Sequence, residues 1–448
     1  MKPTLAAAFR HEMDAARAAW SAGEHHAAFA RLERAHILGQ RHFVPHVMSH
    51  MWMLRVGLKR RDRREIVGQL LRLMATVPGA LIGWVPAGNT GGANVPALRP
   101  MPIPSEFAHH FFGANMVRAV AGRLALLAAI STLALGALVG LLEWRRHSLA
   151  EAFEARPPGA EEVHRITNLG STRRLEIIPL VNWHAGVPGL ATEAGVAYLV
   201  RTDHATLLFD LGYNALGEAR SPLKRNMERL GLSMDAVDAV FISHRHRDHV
   251  GGSVAERSGV LPADGSLPDL NGKTLLTPEQ VSYPGATNTV LDGARKLFDG
   301  VATTGPVMRS LFLGPIGEQA LVVNVVGRGL VVIVGCGHPT IPRLLGRLAE
   351  IFPEPLYGMV GDLHYPVPAG RMRIAGLDAQ RIFASGSGPF RQITMAEAQA
   401  ELALLDRLQL LALGGHDTSD EVLAWTAKRF EDRFRRVKVG EPIVVQAP

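Results

Sequence analysis

His244-Arg245-His246-Arg247-Asp248-His249, running on into Val250-Gly251-Gly252, is the stretch that decides how this chain is read. Three imidazoles and one carboxylate fall within six residues, directly after the apolar run Ala239-Val240-Phe241-Ile242. A strand that ends in a tight turn aims all four side chains into one space. Imidazole nitrogen and carboxylate oxygen are donors that suit zinc, iron and manganese. The mixture can serve two ions, with His244 and His246 on one and Asp248 and His249 on the other.

This H-x-H-x-D-H pattern resembles the signature of the metallo-β-lactamase fold superfamily, and the resemblance extends over about Arg173 to Val445. It implies an α+β fold, the αββα sandwich, with metals at one edge where strand-end loops converge. It also implies five ligand-bearing segments in a fixed order. The first is Thr206–Gly212, where an apolar run breaks at Asp210; in the family this Asp orients ligands from behind the site. The second is the opening motif. The third follows the β-branched run Leu330–Val334 and carries His338, which the resemblance makes the last ligand of the first ion. The fourth ends Tyr357–Gly361 and offers Asp362 as a bridge between ions. The fifth ends in Gly414-Gly415-His416, and His416 completes the second ion.

Gly335-Cys336-Gly337-His338 and Gly361-Asp362-Leu363-His364 further resemble a subgroup related to the dihydropterin ribofuranosyl-aminobenzene phosphate synthases. In that subgroup the bridging Asp is often missing and the following His takes part. His364 therefore stands beside Asp362 as a substrate contact or alternative ligand. Glu193-Ala194-Gly195 is similar to the subgroup's Glu-His-Gly element, with Ala194 in place of its His, and adds Glu193 as a supporting or substrate-facing group.

The chemistry implied is metal-assisted hydrolysis. Two cations about 3.5–4 Å apart lower the pKa of a water between them, and the resulting hydroxide attacks an electrophilic centre. Two divalent ions are expected, zinc foremost, with iron or manganese admissible. The partner is a small molecule: an ester, lactone, amide or phosphoester. Asp248 or Asp362 is expected to accept the proton. Two readings from other classes stay open, a pterin-type synthase and a metal-containing sensor or binding module without turnover. Cys336 is the single cysteine, so an intrachain disulfide is excluded; it is read first as a small buried residue at a strand end, with a metal neighbour or reactive thiol as the alternative.

Leu124 to Leu142 is a run of 19 residues without charge, about the length that spans a bilayer core. Arg118 and Arg123 flank one end, and Trp144, Arg145 and Arg146 the other, as suits the headgroup zone. A single-pass membrane helix over 118–144 is expected. Before Val120 there are about 15 Lys/Arg against seven Asp/Glu, close to the whole net charge of +7. Basic segments stay cytoplasmic, which favours the catalytic part outside.

Residues 1–105 read as a small all-α domain. Phe9 to Ala35 has helical periodicity broken at Ser21–Glu24, and Trp20, Gly23, Ala27, Phe29 and Ala35 keep a tetratricopeptide-like rhythm. A second pair is expected over Val47–Leu58 and Arg64–Met74. Trp84 to Val95 is a Gly/Asn loop. About Phe9 to Pro104 resembles a small bacterial domain family of unknown function. His36, His42, His46 and His50 are dense; His46 and His50 share a helix face at i,i+4, as metal-binding pairs do, but packed or exposed histidines are the default. Lys59–Arg64 reads as a solvated basic turn, and no nucleic-acid motif accompanies it, so no nucleic-acid partner is expected; a protein partner of this domain is not specified by the sequence. A linker is expected over 145–172, with the loop-like Arg156–Glu162, and the catalytic domain over 173–448. Within it, Gly300–Ile316 and Thr277–Gly285 are expected to form loops or hairpins over the site. Thr394–Glu397 has the form of a capping box starting a helix that runs through Leu408.

Overall fold

The computed structural model describes residues 1–111, 116–154, 165–311, 314–384 and 392–448, and the chain divides into two compact units, Met1–Val139 and Gly140–Pro448. In the first, α1 (Pro3–Ser21) and α2 (His25–Gly39) form one helix pair, with Gly23 supplying the positive φ of the turn. The second pair is α3 (Phe43–Arg60) and α4 (Arg63–Ile82). His42 caps α3 and so lies outside the helix, while the Asp62 side chain caps α4 by accepting from the Glu65 N–H. Phe9, Met13, Leu32, Leu38, Met53 and Val56 form a core for this unit.

A fifth helix, α5, spans Met116–Glu154. Among the described residues two helices are long and apolar enough to cross a membrane, Arg63–Ile82 and Val120–Arg145. Only the second is expected from the sequence. Arg63, Arg64, Glu65 and Arg72 interrupt the first, and the helix gathers its apolar side chains Val67, Leu70, Leu71, Met74 and Val77 on a face that is exposed. The expected linker also needs correction. Helix α5 continues to Glu154, and residues 165–172 already belong to the second unit: Ile166 donates to the Ile351 carbonyl, and Leu169 is fully buried. Arg156–Glu162 lies outside the described residues.

The second unit is built on two seven-stranded sheets among the described residues. The first contains β1 (Arg174–Val181), β2 (Ala197–Arg201), β3 (Thr206–Phe209), β4 (Ala239–Phe241), β5 (Thr274–Thr277) and β6 (Thr287–Val290). The second contains β7 (Arg295–Phe298), β8 (Val301–Thr303), then β11 (Leu321–Val325), β12 (Gly329–Ile333) and β13 (Leu356–Gly361), and finally β16 (Leu410–Leu413) and β17 (Phe434–Arg436). Between β8 and β11 the pair β9 (Val307–Leu311) and β10 (Gly314–Glu318) forms a separate hairpin inside the segment expected to cover the site. A second small pair is β14 (Arg373–Ile374) with β15 (Leu377–Asp378), and β18 (Ile443–Gln446) returns to the free edge of β1.

Three apolar layers hold this unit. The central strands are buried almost continuously rather than in alternation, because both faces of each sheet are covered. Phe209, Phe241, Val323, Val331 and Ile333 fill the space between the sheets. Leu223 and Met227 of α6 (Pro222–Arg229) and Ala255 of α7 (Ser253–Ser258) cover the first sheet. Helices α8 (Ile341–Ile351), α9 (Met395–Ala403) and α10 (Asp420–Phe430) cover the second. This is the αββα order. The Thr394/Glu397 capping box is present, but α9 ends at Ala403 rather than Leu408; Leu404, Leu405 and Asp406 continue as turns with i→i−3 bonds.

Strand direction positions the site. β3, β4 and β5 pair in parallel, as do β12, β13 and β16. Parallel strands end on the same side, so the loops after β3, β4, β12, β13 and β16 open onto one rim.

Candidate metal centre

Asp210, the His244–His249 segment, His338, Asp362 with His364, and His416 all follow the carboxyl ends of those five strands. The structure brings them together as three overlapping groups of donors among the described residues: His244/His246/His338, Asp248/His249/Cys336/His416, and Cys336/His338/His364/Asp417.

In the first group His246 Nδ1 is 3.2 Å from His244 Nε2 and 3.2 Å from His338 Nε2. Burial keeps all three imidazoles neutral at ordinary pH, with His246 pushed down to about 4 and the other two well below their usual range. Neutral imidazole is the form that ligates a metal. The Ser243 hydroxyl, 2.7 Å from Asp210 Oδ2, lies 3.0 Å from His244 Nδ1 and orients that ring.

In the second group His416 Nε2 is 2.9 Å from Asp248 Oδ2, and His249 Nε2 is 2.9 Å from Cys336 Sγ. His249 Nδ1 is 2.6 Å from Asp210 Oδ2. A carboxylate can only accept, so Nδ1 carries the proton and Nε2 points its lone pair into the group. Burial opposes the charged form of His249, but Asp210 and Asp248 outweigh it and raise its pKa, so a metal at Nε2 has to displace a proton there. The same balance, with Asp417, Asp248 and Asp362 as the acids, holds His416 well above its usual range.

Glu193 takes a supporting place. Its carboxylate accepts from the N–H of Tyr213 at 2.9 Å and of Ala215 at 3.4 Å, fixing the loop after Asp210. Val196, just beyond, donates to the Asp248 carbonyl. His364 lies in the third group, its Nδ1 3.0 Å from Asp417 Oδ2, while its buried Nε2 has no hydrogen-bond partner among the described residues.

Asp362, expected as a bridge, lies against His416, its Oδ2 3.5 Å from His416 Nδ1. Its Oδ1 accepts from the N–H of His416 at 3.1 Å and of Asp417 at 3.4 Å, and its Oδ2 accepts from Asn182 Nδ2 at 3.1 Å. Fully buried and engaged in these bonds, it braces the His416 turn instead of joining a donor group. Cys336 is buried at its strand end, and its sulfur sits in two of the three groups.

Sequence reasoning missed Asp417 and Glu318. Asp417 adjoins His416 in sequence, and a His-Asp pair at a strand end was a usable signal. Glu318 gave almost none, being one acid before an apolar strand. Its buried Oε1 accepts from the N–H of Gly335, Cys336 and Gly337, and its Oε2 from His338 at 2.8 Å. One carboxylate thus sets the turn that presents both Cys336 and His338.

Residues 191–257 match the family described as the metallo-beta-lactamase superfamily. Part of the second unit is thus similar to the metallo-beta-lactamase superfamily. It is distantly homologous to the 7,8-dihydropterin-6-methyl-4-(beta-D-ribofuranosyl)-aminobenzene-5'-phosphate synthase of Methanocaldococcus jannaschii, which is 21% identical over 242 residues, covering 44% of this chain and 80% of the relative. Among solved structures, a metal-dependent hydrolase of the beta-lactamase superfamily covers 61% of this chain and 99% of its own, at 19% identity and a TM-score of 0.43. The metallo-beta-lactamase fold protein YhfI from Bacillus subtilis covers 61% of this chain and 100% of its own, at 14% identity and a TM-score of 0.37. Residues 3–111 match a family described as a protein of unknown function (DUF3703).

The residues gathered on this rim fit divalent ions. The donors are imidazole, carboxylate and thiol, the types that hold zinc. Nitrogens bound about 2.0–2.1 Å from one tetrahedral ion stand about 3.3 Å apart, close to the spacing within the first group. The His249 tautomer is set by a carboxylate behind it, the usual support of a ligating imidazole.

Proposed function

We propose that the metallo-beta-lactamase domain is a hydrolase working with two divalent metal ions, zinc foremost, on a small-molecule ester, lactone, amide or phosphoester. The observation that carries this reading is the pair of adjoining donor groups, His244/His246/His338 and Asp248/His249/Cys336/His416, on one rim. Two ions held there would supply a water ionised near neutral pH and polarise the substrate oxygen.

The chain's own residues do the remainder. Asp210 keeps the proton on His249 Nδ1. Burial opposes ionisation of Asp248, but the imidazoles of His249 and His416 outweigh it and hold the group below the usual carboxylate range. Asp248 therefore stays ionised as a donor and is a weak base. Asp362 has both oxygens engaged. The proton role falls to His364: Asp417 fixes its Nδ1, and its Nε2 is left to take a proton or deliver one to the leaving group. Replacing His364 by Ala should leave metal content unchanged and lower kcat by about 10²–10⁴-fold. Metal loss in that variant, or full activity, contradicts the assignment.

The third donor group favours a second reading. Cys336, His338, His364 and Asp417 lie where the chain resembles the pterin-related synthases, and the Methanocaldococcus relative bears that name. Condensation products from pterin-like phosphates, with no hydrolysis of esters, lactones or phosphodiesters, would favour a synthase. Helix α5 is proposed as a membrane anchor, with the basic first unit on the cytoplasmic side and the metallo-beta-lactamase domain outside.

A further inference from the structure

The first unit holds a histidine cluster remote in sequence from the metallo-beta-lactamase domain. His36 of α2 and His46 and His50 of α3 point their Nε2 atoms at one another: His36 Nε2 to His50 Nε2 is 3.2 Å, and His50 Nε2 to His46 Nε2 is 3.0 Å. This convergence goes beyond the packed or exposed histidines that the sequence leads one to expect.

The far sides of two rings decide where their protons are. His36 Nδ1 is 2.9 Å from the Asn89 backbone carbonyl, which can only accept. His50 Nδ1 is 2.6 Å from Gln69 Oε1. That amide is oriented by its own nitrogen, which donates to Glu65 Oε1 and to the Gly91 carbonyl. Both Nδ1 atoms therefore carry hydrogen. In the neutral rings both Nε2 atoms carry lone pairs, and these face each other at 3.2 Å with no proton between them. Burial disfavours the alternative of protonating one ring: it pushes His50 down to about 3, His46 to about 4, and His36 well below its ordinary range. A cation that accepts the lone pairs resolves the arrangement. The spacing matches the roughly 3.3 Å between nitrogens on one tetrahedral ion.

The surroundings support such a site. Asn89 and Gly91 belong to the Gly/Asn loop, and Asn89 Nδ2 ties that loop to the carbonyls of Pro96 and Arg99. A Cβ at Gly91, where φ is +80°, would come within 2.7 Å of the His36 ring, so the loop reaches His36 only with glycine there. The three imidazoles line a cavity of about 430 Å³, which gives access for a further ligand.

We propose that His36, His46 and His50 form a tris-imidazole site for one divalent transition-metal ion of the zinc or copper type, held by α2 and α3 and braced by Asn89 and Gln69. Nitrogen-only sets of this kind suit zinc, copper and nickel rather than magnesium or calcium. All three imidazoles belong to the first unit.

The test uses the full-length protein in detergent, stripped with a chelator and reloaded with zinc, with metal per chain measured by mass spectrometry. His46→Ala, chosen because His46 is only half-buried, should lose one equivalent relative to wild type with unchanged helical circular dichroism. His246→Ala should keep that equivalent. A second measurement does not depend on the folding of a cluster variant: copper(II) added to the His246→Ala/His416→Ala protein should give a paramagnetic resonance spectrum split by several imidazole nitrogens. Equal zinc content in wild type and folded His46→Ala, or a copper spectrum without nitrogen splitting, overturns the proposal.

Discussion

Asp210 Oδ2 accepts a hydrogen bond from His249 Nδ1 at 2.6 Å, with both side chains fully buried and Asp210 itself at φ +56°. The strand end of β3 is held in an uncommon backbone conformation while its carboxylate meets a ring on the next strand's loop. The same carboxylate accepts from the Ser243 N–H and hydroxyl, so one residue fixes the start of the H-x-H-x-D-H segment and its last imidazole.

Asp210→Ala should therefore weaken metal binding without removing a ligand. Loss of such a partner costs about 10–100-fold in affinity. Competition with a chelating dye should show ions at the His244–His249 segment bound more weakly in that range; unchanged affinity would deny Asp210 this role.

Glu318→Gln should destabilise the fold itself. The side chain is buried, and burial raises its pKa, yet four consecutive backbone N–H groups converge on it. Bonds to a charged acceptor contribute about 1.5–3 kcal/mol each against about 1 kcal/mol for neutral ones. A loss on the order of 2–3 kcal/mol in urea unfolding is expected, together with weaker metal binding through His338. A neutral outcome would mean that the 335–338 turn holds without the charge.

Cys336 offers a spectroscopic prediction. Its sulfur is 2.9 Å from His249 Nε2 and 3.6 Å from His416 Nε2, and since burial pushes the thiol pKa up, it ligates where a metal ion displaces its proton. Cobalt-loaded protein should show a sulfur-to-cobalt charge-transfer band in the near ultraviolet that Cys336→Ala abolishes. An identical spectrum in the variant would return Cys336 to a packing role.

Membrane association can be checked directly. The Val120–Arg145 span has none of its most apolar window buried in the structure. Full-length protein should stay with the membrane pellet after alkaline carbonate washing, and protease added to intact cells' outer face should reach the metallo-beta-lactamase domain. Release into the wash contradicts the anchor; protection of that domain reverses the proposed orientation.

Much of this was legible because strand ends announce themselves. Apolar runs that break at Asp210, His244, His338, Asp362 and His416 mark five buried parallel strands, and parallel pairing sends all five ends to one rim. What stayed hidden depends on contacts across sequence. The Asn182 amide that bonds to Asp362 lies 180 residues away. Glu318 acts through backbone donors, which have no residue signature. Helix α4 escaped as an apolar span because Arg63, Arg64 and Glu65 crowd its first turn and Arg72 interrupts the apolar residues that follow. His36 is 14 residues from His50, too far for a helix-face pattern to join them.

On the proposed function the two adjoining donor groups each hold a divalent ion used in hydrolysis. The most direct measurement is metal content together with ester, lactone and phosphodiester turnover for full-length wild type, His246→Ala and His416→Ala. The account predicts that each variant loses one equivalent of metal relative to wild type and that both lose turnover. Folded variants that keep the wild-type metal content, or turnover that survives their metal loss, would contradict it.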